Sequence, residues 1–212
     1  MDIAKQFDTL WYQGASLAVV ALVTGAALAL AYQSTAPRIA EAQARKTQAA
    51  LAEVLPQGSF DNALMNDSVV VKDTDGRAVT VFRARKAGAM TGVVFGMENK
   101  GYSGTIKLVM GVDMEGRLTG VRITGHTETP GLGDKIEIAK NPWVRSFDGK
   151  SLGDPAPALW AVKKDGGVFD QFAGATITPR AVVGAVKRGL ELYAGQRDAM
   201  IADASTDAAP RP

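Results

Sequence analysis

The chain of 212 residues contains no cysteine and a single histidine, His126. Without cysteine it can form no disulfide, hold no thiolate-ligated iron–sulfur cluster and use no thiol nucleophile. One histidine also argues against haem or a histidine-rich metal site, so we expect no metal. If this protein carries electrons, its carrier is therefore expected to be an organic cofactor.

The net charge is also small, and aromatic residues are few. Lys and Arg number 24 against 22 Asp and Glu, a formal charge of +2, and aromatic residues make up 7% of the chain. No run of basic residues stands out, so we expect no nucleic-acid partner. The length leaves room for one folded domain and a membrane anchor.

Charged residues are absent from residues 15 to 32. At about 1.5 Å per residue this stretch would span about 27 Å as a helix, close to the thickness of the hydrocarbon core. A cleaved signal peptide is the competing interpretation, but its basic region would be poor because Lys5 is flanked by two aspartates. We therefore expect a short segment at 1–12, a lipid-contacting anchor at 13–34 and no cleavage.

The charges that flank the anchor bear on its orientation. Lys5 precedes the span, whereas Arg38, Arg45 and Lys46 follow it. The positive-inside rule, taken alone, predicts a cytoplasmic C-terminal domain.

The rest of the chain predicts an α+β fold, with a twisted antiparallel sheet packed by helices. A helix over Arg38–Leu55 forms a stalk (35–58), the domain covers 59–195, and residues 196–212 form a disordered tail. Two Asp/Gly-containing turns at 73–76 and 113–116 predict hairpins. The predicted strands are 68–71, 77–84, 93–97, 104–112 and 117–124, with edge strands at 143–147 and 160–163. The predicted helices are 130–139 and 179–193.

The segment from Asp170 to Arg180 is the most informative part of the chain. The small residues Gly174 and Ala175 leave the hydroxyl of Thr176 open to a bulky group, and Thr178-Pro179 predicts a helix start. The N-terminus of that helix would favour an anion beside Thr176. From spacing alone, an ordinary turn before an amphipathic helix remains the alternative.

Three segments resemble one family of FMN-binding domains, which includes the G subunit of Rnf/Rsx electron transport complexes and the C subunit of the sodium-pumping NADH:quinone reductase. Residues 170–176, Asp-Gln-Phe-Ala-Gly-Ala-Thr, are similar to its acceptor motif D-x-x-[ST]-G-A-T. Ala173 departs from the commoner Ser or Thr. Residues 128–133 match the family's E-T-P-G-L-G loop, and residues 101–104 match the start of its central hairpin. The resemblance covers roughly residues 10 to 195.

The resemblance implies one covalent FMN per chain. A flavin transferase that reads Asp170 would esterify the flavin phosphate to Thr176. Leu132 would cover the flavin ring, Tyr102 would stack on it, and backbone groups of Thr129 and Gly131 would meet its polar edge. The other residues implied for cofactor binding are Gly174, Ala175, Thr178, Glu128 and Lys135. Glu128 and Lys135 could instead form a structural ion pair.

The implied function is electron relay in a complex of the bacterial inner membrane that couples ferredoxin–NAD electron transfer to ion translocation. Its partners would be the other proteins of that complex, and the domain would face the periplasm, against the charge count. The chain would not bind NAD itself, because no G-x-G-x-x-G fingerprint follows a strand. The alternative is a membrane-anchored sensor or assembly module that uses the fold without flavin.

Overall fold

The structure is a computed structural model that describes residues 10–202. It confirms the α+β class, with a five-stranded antiparallel sheet and helices. The helices are α1 (Leu10–Glu53) and α2 (Ile177–Ile201). The strands are β1 (Ser68–Lys72), β2 (Ala78–Lys86), β3 (Ala89–Lys100), β4 (Thr105–Asp113) and β5 (Leu118–Gly125). The 3-10 helices are Leu64–Asn66, Gly133–Ile136, Pro142–Phe147, Pro157–Leu159 and Lys163–Asp165.

Helix α1 joins the predicted anchor and stalk, and Pro37 lies inside it. Alanine-rich flanks favour the helix strongly enough to continue it past the one backbone hydrogen bond that proline cannot donate. Within residues 10–202, Trp11–Ile39 is the one stretch long and apolar enough to cross a membrane. The chain divides into two compact units after Arg45, so the end of the predicted stalk belongs to the folded domain.

The strands pair in sequence order, β1 to β5, through hairpins. Asp73 and Asp113 each open a turn in which their carboxylate accepts backbone N–H groups of the next residues. Gly76 and Gly116 close these turns with φ near 80°, a conformation that glycine adopts readily. The two hairpins therefore use the same local turn chemistry.

Alternation along the strands divides the apolar residues between the two faces of the sheet. One face, with Phe95 of β3 and Met110 of β4, lies under α2. On the other face, Val94 and Val109 pack with residues that follow the membrane-spanning part of α1 and with Leu64. The sheet is therefore buried on both sides, and α2 is fixed to it along its length.

Two predicted edge strands are wrong. The first is instead the 3-10 helix Pro142–Phe147, begun by Asn141, whose side chain accepts the N–H of Trp143. In the second, Val162 makes only an isolated bridge to Phe169. Apolar aromatic runs of this length suit a packed aromatic cluster as well as a strand, and here the rings pack against each other. The predicted helix 130–139 is reduced to a single 3-10 turn, Gly133–Ile136.

The C-terminal helix does not end at Tyr193 as predicted. Helical structure reaches Ile201 across a kink at Gln196, whose φ of −129° is not helical. The part after the kink is held because Met200 is buried in the core and the Arg83 guanidinium donates to the carbonyl of Ala202. Arg83 also pairs with Asp67, which holds its charge in place. The remaining predicted tail, 203–212, and residues 1–9 lie outside the described residues.

Gly111 permits the chain after α1 to lie against the sheet, and its replacement is predicted to destabilise the fold. The Val54 carbonyl accepts the Thr119 hydroxyl at 2.6 Å, and a Cβ on Gly111 would stand 2.6 Å from that carbonyl oxygen. We expect Gly111→Ala to lower the free energy of unfolding by about 1–3 kcal/mol through overpacking. Urea denaturation of the detergent-solubilised parent and variant measures this difference in the free energy of unfolding.

Gly153→Ala is the matched control. An added Cβ there meets nothing within 4 Å, and the backbone is not left-handed. Its free energy of unfolding should stay within about 0.5 kcal/mol of the parent. Equal effects of the two substitutions would contradict close contact between Val54 and the sheet.

Candidate functional site

Three segments that are distant in sequence meet around one cavity. They are the turn between β3 and β4, the loop after β5, and the segment that leads into α2. The cavity encloses about 300 Å³, at the lower end of the range for small-molecule sites. Its lining comprises Tyr102, Glu128, Thr129, Leu132, Gly133, Gly174, Ala175, Thr176, Ile177 and Thr178.

The carboxylate of Glu128 connects the three segments. Its Oε1 accepts the backbone N–H of Ser103 at 3.0 Å, and its Oε2 accepts the Thr178 hydroxyl at 2.5 Å. The side chain is buried, with 5% of the residue exposed. The alternative ion pair with Lys135 is wrong, since within residues 10–202 the recorded partners of this carboxylate are Ser103 and Thr178.

Two glycines make room for this carboxylate. A Cβ on Gly101 would stand 2.5 Å from Oε1 of Glu128. A Cβ on Gly133 would stand 2.9 Å from both the Glu128 Cβ and the Thr178 hydroxyl. Any larger residue at either position would push the segments apart, so these glycines are required by close approach.

Helix α2 begins at Ile177, two residues earlier than predicted. Thr178 is therefore inside the first turn, and its hydroxyl serves Glu128 rather than capping the helix. Thr176 takes the capping position, is half-buried, and its side chain makes no capping hydrogen bond. The first turn tolerates Pro179, because the N–H groups there have no partner within the helix.

A tight turn precedes Thr176. The N–H of Ala175 donates to the Phe172 carbonyl at 3.1 Å, and Gly174 at the third position has φ of 80°. A type II turn requires a positive φ at that position. Gly174 is therefore needed for its backbone conformation, in addition to its small size.

Exposed apolar side chains surround the cavity mouth. Tyr102 is 68% exposed, and Leu132 and Ile177 are also exposed. Large apolar residues exposed together beside a pocket mark a binding surface. Together with the N-terminus of α2, they suit a ligand with a flat apolar part and an anionic group.

Three predicted site residues do not line the cavity: Gly131, Lys135 and Asp170. The backbone amide of Gly131 is one of the groups that lower the pKa of Asp134, after the hydrogen bond from Lys140. Sequence reasoning missed Gly133 and Ile177 as lining residues, and it missed the Ser103 amide as a partner of Glu128. The second glycine of the G-L-G run was a signal for Gly133, whereas nothing pointed to Ile177.

The segment 170–180 is held at the protein surface by the 3-10 helix Lys163–Asp165. Lys163 pairs with the exposed Asp170 at 2.6 Å. Asp165 accepts two hydrogen bonds from Arg180, at 2.6 and 2.8 Å, and this pairing lowers the pKa of Asp165. The indole N–H of Trp143 donates to the Asp170 carbonyl at 2.8 Å. The segment is therefore fixed at both of its ends.

Polar side chains also hold the loop that follows β5, through contacts other than those of Glu128. His126 Nδ1 accepts the N–H of Glu128, which assigns the ring hydrogen to Nε2, 2.8 Å from Glu137. Burial raises the pKa of Glu137, but hydrogen bonds from His126 and Lys140 lower it more. Lys140 also bonds Asp134, and this is the main cause of the lowered pKa of Asp134.

Comparison with known proteins identifies the chain. Residues 101–191 match the model of the FMN-binding domain, and residues 1–54 match that of the RnfG N-terminal region. The G subunit of the ion-translocating oxidoreductase complex of Pseudomonas aeruginosa is 50% identical, covering 88% of this chain and 89% of that protein. The same protein of Cereibacter sphaeroides is 48% identical, covering 89% and 86%. The chain belongs to the G-subunit family of ion-translocating oxidoreductase complexes.

The solved structures that resemble this one include NqrC of Shewanella oneidensis. It is 25% identical, with a TM-score of 0.46, and covers 65% of this chain and 70% of that chain. The FMN-binding domain match contains all three segments of the cavity. Family membership and this domain together support an electron-transfer subunit that binds FMN.

The polar network around the loop after β5, formed by His126, Asp134, Glu137 and Lys140, predicts that the stability of the fold depends on pH. Because the pKa of Asp134 is lowered from 3.8 in the folded chain, its contribution is full above about pH 5 and is lost as pH falls through the folded value. We expect Asp134→Asn to be less stable than the parent at pH 7 and to approach it at pH 3. Urea denaturation at a series of pH values measures this.

Asp148→Asn is a control of opposite sign. Burial raises the pKa of Asp148, with partial compensation from Arg122 and Arg145, so its ionised form destabilises the fold at neutral pH. This variant should gain stability over the parent at pH 7 and lose that gain in acid. If Asp134→Asn behaved in the same way, the account of the loop network would be wrong.

Proposed function

We propose that Thr176 carries one FMN per chain through a phosphodiester bond between its hydroxyl oxygen and the flavin phosphate. The observation that supports this is the convergence of the three motif segments on one cavity, with Thr176 half-buried in its wall. The hydroxyl makes no capping hydrogen bond. A bond there would place the phosphate charge at the N-terminus of α2, where it is favoured.

The residues present fit both ends of FMN. Backbone N–H groups of Ile177 and Thr178 lie in the first turn of α2, where they have no partner within the helix. Tyr102 and Leu132 would contact the ring, with Thr129 at its polar edge. The bound FMN would supply the redox chemistry, while the chain positions it and sets its electrostatic surroundings.

Maturation would require a flavin transferase that reads the exposed segment beginning at Asp170. Asp170 lies outside the cavity, so it would contact the transferase and not the finished flavin. Lys163 pairs with Asp170, so the transferase would either displace Lys163 or recognise the two residues together. Gly174 and Ala175 would keep the approach to Thr176 open.

The loaded protein would relay electrons within a complex that couples ferredoxin–NAD electron transfer to ion translocation. Its anchor within α1 would contact lipid and the other membrane proteins of the complex in the bacterial inner membrane. A non-redox sensor or assembly module is the alternative. It would leave the cavity without flavin and would give no reason for an acceptor motif beside it.

Attachment should depend on the Thr176 hydroxyl. We expect Thr176→Ala, co-expressed with a flavin transferase, to fold and carry no covalent FMN, while Thr176→Ser keeps part of the label. Thr178 should not substitute as acceptor, because its hydroxyl is buried and bonded to Glu128. The intact mass of the denatured chain measures this. Covalent FMN on Thr176→Ala would refute the assignment, and an unlabelled parent chain would favour the non-redox alternative.

The domain should face the periplasm, although the flanking charges favour the opposite orientation. A reporter fused after Gly195 should be active if it requires export and silent if it requires the cytoplasm. Activity in the reverse pattern would show that Arg38, Arg45 and Lys46 determine the orientation.

A further inference from the structure

We propose that the negative charge of Glu128 lowers the reduction potential of a flavin bound in the cavity. This inference rests on the proposed FMN site, and it assigns to one residue a role in tuning that site. At position 128 the fold requires a hydrogen-bonding side chain, and the chain has one that can also carry a negative charge.

The fold requires a side chain that bonds both Ser103 and Thr178. The Ser103 N–H can only donate, so one acceptor must face it. The Thr178 hydroxyl can donate or accept. A glutamine at 128 would therefore satisfy both groups, with its oxygen toward Ser103 and its NH₂ toward Thr178. Shape and hydrogen bonding alone do not require a carboxylate.

The carboxylate is nevertheless buried without a compensating cation. Among the described residues, its recorded contacts are the amide of Ser103 and the hydroxyl of Thr178. His126 accepts the backbone N–H of Glu128 through Nδ1, and its Nε2 lies 2.8 Å from Glu137, so within residues 10–202 it forms no ion pair with the Glu128 carboxylate. A buried charge without an ionic partner costs free energy, so the fold alone gives no reason for a carboxylate at this position.

The position of the charge gives it an effect on a ligand. Glu128 lines the cavity together with Thr176, so a group attached to Thr176 would lie near the carboxylate. An electron taken up without a proton gives an anionic semiquinone, and two electrons with one proton give an anionic hydroquinone. A nearby fixed negative charge opposes the formation of either anion in a medium of low dielectric constant. The same charge would disfavour the reduced form and favour passing the electron onward.

Glu128→Gln removes the negative charge and can keep both hydrogen bonds, to Ser103 and to Thr178. It should fold, retain covalent FMN and raise the midpoint potential of the bound flavin, measured by spectroelectrochemical titration of the full chain in detergent. Thr178→Val is the matched control, because it removes the tether and keeps the charge. Its midpoint potential should not rise above that of the parent chain.

Each outcome distinguishes an effect of the Glu128 charge on the flavin potential from a purely structural role of Glu128. A raised potential in Glu128→Gln but not in Thr178→Val supports the proposal. A rise in both variants would assign the effect to loosening of the loop and overturn it. An unchanged potential in a fully labelled Glu128→Gln, or a folded Glu128→Gln without label, would also overturn it.

Two further measurements complete the test. If Glu128→Gln is not recovered folded, Glu128→Asp keeps the charge, and its potential must not exceed that of the parent; a rise overturns the proposal. Absence of flavin from the parent chain would overturn the proposed FMN site itself. An unshifted potential in a labelled variant overturns only the role of Glu128.

Discussion

The site depends on one buried carboxylate that accepts hydrogen bonds from two other segments. Glu128 connects the β3–β4 turn at Ser103 to the first turn of α2 at Thr178. Hydrogen bonds to a charged group contribute about 1.5–3 kcal/mol each. That is enough to hold loops that lack the backbone hydrogen bonds of paired strands. The requirement for glycine at 101 and 133 follows from the same contact, because a side chain there would occupy the space of the carboxylate.

The sheet makes this contact possible by fixing its partners. Strands β3, β4 and β5 are adjacent, so the turn after β3 and the loop after β5 emerge at the same end of the sheet. Helix α2 packs along one face through residues such as Val182 and Val186, and this packing brings its first turn to that end. The opposite face is covered near Val54, so the membrane-proximal part of the chain is built into the domain core.

Local patterns in the sequence predicted the five strands, both aspartate-glycine hairpins and the importance of residues 170–180. Those features depend on neighbours in sequence, such as the carboxylate of Asp73 and the amides of its own turn. The partners of Glu128, the role of Thr178 and the start of α2 were missed. The partners of Glu128 and the role of Thr178 depend on contacts across at least 25 residues, which the periodicity of the sequence does not show. The aromatic segment 143–147 was wrongly predicted to be an edge strand, because buried rings suit a strand and a cluster equally.

A crystal structure of the flavin-loaded chain would test this account most directly. The account predicts continuous density from the Thr176 hydroxyl oxygen to the flavin phosphate, with the ring against Leu132 and on the same side as Glu128. It also predicts that the Ser103 and Thr178 hydrogen bonds to Glu128 persist. A flavin attached elsewhere, or a ring on a surface away from the cavity with Glu128 turned outward, would contradict it.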